Sequence, residues 1–270
     1  MFFTKKDRAI RSIWKSQLRS VLEDYFISCG QMPFAPTEGI PIARSRDTQQ
    51  IAYRSAIALQ LAPKLGISPL ELAREWVACL PENADFAVSV TPPGWIDCQL
   101  TDAGLARWLQ SWTRCPDSTP NTRIPPPANP FPIQYARARC CSLLRLAEGE
   151  GLIDLQMMGN DVEIIAPDPL PWLDDTQGLR LQHPAERALM GQLVAIVDAL
   201  EDPKAIDLGK PAIKLGAAFE GFYSQCRILG EVKTSAPALA QARSGLVAVT
   251  QTVLKSLLEN HFGIPSPLEL

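Results

Sequence analysis

The chain of 270 residues is long enough to bury one large core or two cores of ordinary size. Hydrophobic residues make up 46% and charged residues 20%, a balance typical of folded proteins rather than disordered ones. The net charge of −3 excludes a global electrostatic attraction to nucleic acid, although it leaves room for a local basic face.

Three further features of the sequence limit the class of protein to which the chain can belong. No apolar run reaches the roughly 18 to 20 residues that a membrane span requires, and the N-terminus lacks the apolar region of a secretory signal. The seven cysteines form no C-x-x-C pair and the histidines are only His183 and His261, so the sequence supports no structural zinc site. We therefore expect reduced thiols, no cofactor, no membrane partner and a cytoplasmic location.

The first elements of the chain are predicted to be helices. Apolar residues recur at helical spacing over 10–25, which indicates an amphipathic first helix. A second helix is predicted over 47–65, because Asp47 and Gln50 have the spacing of a capping box. A third is predicted over 68–80, where Ser68 precedes a proline at the first helical position.

After the third helix, the apolar residues recur at every second position, as in a β-strand. Apolar and small or polar residues alternate over 86–90 and again over 96–100, on either side of the turn Pro92-Pro93-Gly94, which predicts two strands. Thr101 is placed to cap a short closing helix. This half of the chain is therefore predicted to be a small α+β domain that contains an antiparallel sheet with helices.

A proline-rich segment marks the clearest boundary. Seven prolines fall between Cys115 and Pro132, without helical or strand periodicity. Since proline lacks an amide donor and fixes an extended backbone, the segment is predicted to be a semi-rigid linker. The predicted division is residues 1–114, a linker over 115–132, and a second domain over 133–270.

The second half is predicted to be mainly α-helical. Its first helix spans 133–148, and the segment 153–165 has the pattern of a hairpin around Gly159-Asn160-Asp161. Further helices are predicted at three places, namely from Pro184, over 203–226 with an interruption at Pro211, and over 237–260.

No catalytic motif is present in the sequence. The chain contains no G-x-G-x-x-G, no G-x-x-x-x-G-K-[ST], no G-x-S-x-G and no H-E-x-x-H. His183 and His261 occupy positions at helix ends, which favours capping or surface roles over catalysis.

Three segments of the second half share an order and spacing with a known domain. They read IQYARARCCSLLR (133–145), FEGFYSQCRIL (219–229), and ARSGLV (242–247) leading to FGIPSP (262–267). These segments resemble the DALR anticodon-binding domain of arginyl-tRNA synthetases, whose patterns are Q-Y-A-x-A-R-x-x-S-I-L-R, F-x-x-F-Y-x-x-C-P-V-L and L-G-I-x-A-P-E-x-M. Arg227 stands where the second pattern has proline.

Two segments of the first half resemble another domain of the same enzymes. AIALQLAPKLGISP (56–69) is similar to A-x-x-L-A-K-x-L-G-x-x-P, and PGWIDCQL (93–100) is similar to P-G-F-I-N-F-x-L. Both patterns belong to the additional N-terminal domain, which touches the tRNA elbow and D-loop. Arg46-Asp47-Thr48 replaces the family's G-D-[YF] start.

The resemblance also implies what is missing. In the enzymes, a Rossmann-type catalytic domain with an H-x-G-H motif lies between these two domains. In this chain, only the proline-rich linker lies between the corresponding segments, and the sequence contains no H-x-G-H motif. We therefore expect a non-catalytic paralogue that binds tRNA, with arginine tRNA as a candidate, and does not aminoacylate it. Two alternatives stay open, a protein-interaction scaffold that has lost RNA binding, and a trans-acting accessory to a separate synthetase.

Candidate RNA-binding residues follow from the motifs and from the available cations. They are Trp95, Asp97, Gln99, Arg137, Arg139, Arg145 and Arg243. An aromatic ring at Trp95 could stack on an unpaired base, although a core position is an equal alternative. Asp97 replaces the family's asparagine, and a carboxylate cannot donate a hydrogen bond. For each arginine a solvated helix surface is the competing interpretation.

Overall fold

The computed structural model describes residues 8–28, 39–45, 50–113, 123–200 and 207–270. Within these ranges an N-terminal region combines helices with an antiparallel sheet, and a C-terminal region is mainly helical. The predicted fold class, a small α+β region with an antiparallel sheet followed by a mainly helical region, is confirmed. None of the described helices is long and apolar enough to cross a membrane.

The N-terminal region is built from four strands and the helices packed around them. Its elements are α1 (Ile10–Ser28), β1 (Ile42–Arg44), β2 (Ala52–Ser55), α2 (Ile57–Leu65), α3 (Pro69–Ala78), β3 (Phe86–Thr91), β4 (Trp95–Leu100) and α4 (Asp102–Trp112). The sheet has the order β1-β2-β4-β3 and every neighbouring pair is antiparallel. Helices α2 and α3 pack against β4 on one face of the sheet, and among the described residues the other face stays accessible to solvent, so we call it the open face.

The predicted second helix starts later than expected. Residues 52–55, which the capping-box pattern assigned to this helix, form strand β2, and the helix begins only at Ile57. Tyr53 and Ser55 are buried whereas Arg54 is exposed, so the segment has the period of a strand. Asp47, the predicted cap, lies outside the described residues.

The other N-terminal predictions agree with the structure. Helix α3 begins at Pro69 as predicted, although it ends at Ala78 and its Ser68 side chain makes no capping hydrogen bond. The amide of Gly104 donates to Thr101 Oγ1 at 3.0 Å, which confirms the predicted cap of α4. The alternating segments form β3 and β4 in register, with Phe86 opposite Leu100.

The C-terminal region is dominated by long helices around a small hairpin. Its elements are α5 (Phe131–Gly149), β5 (Asp154–Met158), β6 (Asp161–Ala166), α6 (Pro184–Leu200), α7 (Gly209–Gln225), α8 (Glu231–Ser235), α9 (Pro237–Ser256) and a π-helical turn (Leu257–His261). The hairpin was predicted, whereas α8 was not. Helix α5 packs on α7 and α9, and α6 packs on α7.

The helix interruption that was predicted at Pro211 does not occur. It lies in the first turn of α7, where a backbone amide has no partner within the helix in any case, so a proline is tolerated there. The predicted beginning of this helix at 203–206 lies outside the described residues.

The second part of the predicted linker runs along the helical region. Residues 114–122 lie outside the described residues. From Arg123 to Pro130 the chain forms neither helix nor strand, and the Ile124 amide donates to the His261 carbonyl at 2.8 Å. Helix α5 begins at Phe131, inside the segment that was assigned to the linker. The division into residues 1–114, 115–132 and 133–270 remains a prediction.

The two regions contact each other directly through buried polar groups. The Tyr53 hydroxyl donates to the carboxyl of Asp198 on α6, which also accepts from the Arg11 amide at 3.0 Å. Elsewhere in the interface, the Trp172 indole nitrogen donates to Gln110 Oε1 at 2.7 Å. Helix α4 packs on α9, so apolar contacts accompany these hydrogen bonds.

Candidate nucleic-acid interface

The open face of the sheet carries three of the predicted site residues. Along β4 the side chains of Ile96, Cys98 and Leu100 are buried, and the intervening residues point to the other face. Trp95, Asp97 and Gln99 therefore lie together on the open face. Trp95 is only partly covered, so the alternative of a fully buried core tryptophan does not hold.

Asp97 is paired with a cation, Arg54, that is not among the residues predicted from the sequence. Arg54 on β2 lies directly opposite Asp97 in the strand register, and its Nε and Nη2 donate to the two carboxylate oxygens at 2.6 and 3.0 Å. Thr91 Oγ1 also donates to Asp97 at 2.8 Å. Partial burial opposes ionisation of Asp97, but the hydrogen bonds from Arg54 and Thr91 outweigh it and hold its pKa below the usual value.

The same arginine also contacts the aromatic residue of the face. The Arg54 guanidinium carbon lies 5.5 Å from the centroid of the Trp95 ring, within the range of a cation–π contact. The signal that could have identified Arg54 is the alternation of β2, which the prediction of a longer helix concealed.

A second exposed cluster lies where α5 crosses α7. The Arg139 guanidinium lies over the Tyr223 ring at 4.7 Å from its centroid and donates to the Tyr223 hydroxyl. On α5, Phe131 and Tyr135 stack with their ring centroids 6.1 Å apart. We call these four residues the α5–α7 aromatic surface.

Exposure distinguishes this surface from ordinary core packing. Phe131, Tyr135 and Tyr223 remain 56%, 41% and 40% exposed, and each is large and apolar. Phe131, Tyr135 and Arg139 are spaced by four residues, so they follow one side of α5. Of these four residues, only Arg139 is among the candidates predicted from the sequence. Helical spacing of aromatic residues is equally typical of a buried seam, so the pattern alone could not identify the other three.

Arg137 is a structural residue, which corrects its assignment to RNA binding. Its side chain is fully buried, and its guanidinium donates to the carbonyls of Ser266 and Asn160, at 2.7 Å in each case. It joins α5 to the C-terminal segment and to the turn of the hairpin. A phosphate outside the fold therefore has no access to this charge.

Arg243 requires the same correction. Its Nε donates to Glu186 at 2.6 Å, its Nη1 donates to the Arg227 carbonyl at 2.6 Å, and its side chain is only 11% exposed. The Glu186 side chain is 1% exposed, so this cation compensates a buried carboxylate.

Arg145 remains at the surface but is already paired. Its Nη2 lies 3.0 Å from a carboxylate oxygen of Glu269, and its side chain is 35% exposed. Of the four predicted arginines, only Arg139 and Arg145 are accessible, and Arg139 is the one that lies beside aromatic rings. Among the described residues, no three His, Cys, Asp or Glu side chains converge to hold a metal ion.

Two protein-family models together match most of the chain. The family model of the DALR anticodon binding domain matches residues 133–270. The family model of the arginyl tRNA synthetase N-terminal domain matches residues 12–100. Only residues 101–132 separate the two matches.

Individual relatives are arginine–tRNA ligases that are much longer than this chain. The enzyme from a Synechococcus species is 35% identical over 139 residues, which cover 50% of this chain and 21% of that protein. The Gloeobacter violaceus enzyme is 37% identical over 133 residues, 47% of this chain and 20% of its own length. The Methanocaldococcus jannaschii enzyme is 30% identical over 135 residues, which cover 48% of this chain and 20% of that protein. The chain thus spans about a fifth of these relatives. No solved structure is significantly similar.

Proposed function

The chain belongs to the DALR anticodon-binding domain family, and on that premise we propose that it binds tRNA through the α5–α7 aromatic surface without aminoacylating it. The observation that carries this proposal is the arrangement of Arg139 and Tyr223 beside the exposed Phe131–Tyr135 stack. Unpaired RNA bases are recognised by stacking on aromatic rings and on arginine guanidinium planes. An exposed group of three rings and one guanidinium offers both kinds of surface.

Charge supports a local rather than a global interaction. The protein is acidic overall, so attraction to phosphate depends on a few accessible cations. Arg139 supplies one of them within the aromatic surface, whereas Arg137 and Arg243 are committed to contacts inside the fold. We therefore expect moderate affinity with a shallow salt dependence, because few condensed counterions are released.

The proposal that the chain does not aminoacylate rests on the segment between the two family matches. Residues 101–132 include α4 and the irregular stretch that is hydrogen-bonded to the helical region through Ile124. The two regions also contact each other directly, through Tyr53 and Asp198. This arrangement leaves little room for an ATP-binding and arginine-binding domain at that point of the chain.

The test is binding of a tRNA transcript to the wild type and to Tyr135→Ala. Tyr135 is exposed, so its removal should leave the fold intact and weaken binding by roughly 5- to 150-fold, the loss of about 1–3 kcal/mol of stacking on one base. Gln225→Ala, also exposed on the nearby α7, is the matched control and should bind as the wild type does. Wild-type protein that does not bind tRNA at low salt would rule out the proposal and favour a protein partner for the aromatic surface.

A further inference from the structure

The two edges of the N-terminal sheet differ in how they are protected. The sheet ends at β1 on one side and at β3 on the other. Strand β1 has only three residues, and its Arg44 donates to the Gly191 carbonyl on α6 at 2.8 Å, so the helical region lies against this edge. Strand β3 has six residues, and among the described residues no strand pairs with its outer side.

The sequence of β3 lacks the features that keep edge strands from pairing with other chains. Natural sheets protect their edges with short strands, charged side chains, prolines or bulges. Strand β3 reads FAVSVT, without a charge or a proline, and its register with β4 continues without a bulge. Three of its residues are β-branched, a type that favours strand pairing. The edge is therefore suited to pairing with a further strand.

The backbone groups that would make this pairing belong to Val88 and Val90. Just beyond the paired segment, the Thr101 amide donates to the Asp85 carbonyl at 2.9 Å, so Asp85 directs its backbone groups toward β4. In an antiparallel pair the residues that exchange hydrogen bonds alternate with residues that face away. Val88 and Val90 are therefore the residues whose amides and carbonyls point away from β4.

The side chains of these two valines are incompletely covered. They lie opposite Cys98 and Ile96 in the register, on the face of the sheet that α2 and α3 cover. Cys98 and Ile96 are 1% and 0% exposed, whereas both valines remain partly exposed. Since α3 packs against β3 as well as β4, the difference arises on the outer side of β3. A further strand on that side would cover both valines.

We infer that β3 pairs with β3 of a second copy of this chain, in antiparallel orientation, so that one continuous sheet crosses the dimer. Val88 of each copy then lies opposite Val90 of the other, and their outward amides and carbonyls bond to each other. Ser89 lies on the two-fold axis, opposite Ser89 of the other copy, where the two hydroxyls can form a hydrogen bond.

The strand is complementary to itself in this register. No side chain of β3 is charged, so no like charges meet across the axis, and Ala87 and Ser89 are small residues on the open face. Helix α3 lies over β3 and β4, so its two copies would be about two strand spacings apart, roughly 10 Å, which is the distance of packed helices. Because the interface is a short strand pair, we expect a weak dimer in the micromolar range. The pairing leaves the α5–α7 aromatic surface free and does not depend on the proposed function.

The first test is sedimentation velocity of the full chain from about 1 to 100 μM, the range in which a weak interface dissociates. We expect the wild type to shift from monomer to dimer as its concentration rises. Val88→Pro removes the outward amide without breaking a bond to β4, and proline is tolerated at such edge positions, so it should raise the dissociation constant at least about tenfold. Val88→Ala, the matched control, shortens the same side chain but keeps the amide, and should still dimerise.

The second test locates the register with an engineered disulfide bond. In Ser89→Cys, the thiols of the two copies lie directly opposite each other and should form a disulfide bond between the copies under mild oxidation, which mass spectrometry identifies. Ala87→Cys is the control, because its two copies lie roughly 14 Å apart in this register, beyond the reach of a disulfide bond.

Each outcome decides for or against the pairing. A wild type that stays monomeric overturns the inference, whether the edge stays open or a strand of another protein occupies it. A dimer that survives Val88→Pro, or that is lost equally in Val88→Ala, does not depend on the outward amide and also overturns the inference. Circular dichroism verifies the fold of each variant. If Val88→Pro does not fold, Ser89→Cys decides, since a disulfide bond at position 89 and not at position 87 supports the pairing and its absence overturns it.

Discussion

The hydroxyl of Tyr53 on β2 donates a hydrogen bond to the buried carboxyl of Asp198 on α6, and this contact joins the sheet of the N-terminal region to the helical region. Both side chains are almost fully buried, at 1% and 3% exposure. A buried carboxyl that loses a donor is costly, so this single contact should contribute measurably to docking of the two regions.

We therefore expect Tyr53→Phe to lower the free energy of unfolding by about 1–3 kcal/mol, because Asp198 loses a partner without gaining access to water. Thermal unfolding should shift by several degrees, at roughly 2–4 °C per kcal/mol for a chain of this size. Tyr135→Phe removes the same atom from an exposed tyrosine and is the matched control, with an expected change within about 0.5 kcal/mol. Similar effects of the two substitutions would contradict this account.

Asp198 should also make stability depend on pH. Burial raises the pKa of Asp198 above its ordinary value, even though the Tyr53 hydroxyl and the Arg11 amide donate to it. A raised folded-state pKa contributes stability that is complete below the unfolded pKa of about 3.9 and is lost as the pH rises through the folded value.

Asp198→Asn, which cannot ionise, should therefore gain stability relative to the wild type as the pH rises from about 4 to 7. Urea unfolding of both proteins across this range measures the difference. A difference that is constant with pH, or that changes in the opposite direction, would show that ionisation of this carboxyl is not penalised by the fold.

The two neighbouring arginines of α5 should respond differently to substitution. Arg137→Ala leaves the carbonyls of Ser266 and Asn160 without their buried donor, so we expect a loss of about 1–3 kcal/mol in unfolding free energy. Arg139→Ala should change stability by about 0.5 kcal/mol or less, since its contact with Tyr223 is at the surface. Chemical denaturation ranks the two variants, and the reverse order would contradict the assignment of Arg137 to the fold.

The protein should show no arginine-dependent exchange between ATP and pyrophosphate. The sequence has no H-x-G-H motif, and only residues 101–132 separate the two family matches. An arginine–tRNA ligase assayed under the same conditions is the positive control. Exchange above background, in protein purified free of the host synthetase, would contradict the proposal that the chain does not aminoacylate.

The sequence predicted elements well wherever one periodicity dominated. The alternation over 86–100 gave strands β3 and β4, and Thr101 gave the cap of α4. The prediction was wrong at 52–55, where a strand was assigned to a helix, because a strand of four residues has too few alternating positions to be distinguished from an adjacent helical pattern. The missing strand concealed Arg54 and hence the partner of Asp97.

The candidate site was predicted less completely than the fold, for a reason that Arg137 and Arg139 illustrate. Both stand in the same motif helix, two residues apart, and both are cations. Two residues along a helix correspond to a rotation of about 200°, so one guanidinium lies inside the fold and the other at the surface. Which of them is accessible depends on how α5 packs against α7, α9 and the C-terminal segment, and local sequence does not contain that information.

A salt titration of tRNA binding is the most direct test of the central claim. We predict that the wild type binds tRNA with an affinity that falls as salt rises, and that Arg139→Ala lowers the slope of log K against log salt by about 1. Tyr135→Ala should weaken binding at every salt concentration and leave the slope unchanged, since a ring contributes stacking rather than charge. Absence of tRNA binding at low salt, or the same slope in the wild type and Arg139→Ala, would contradict the account.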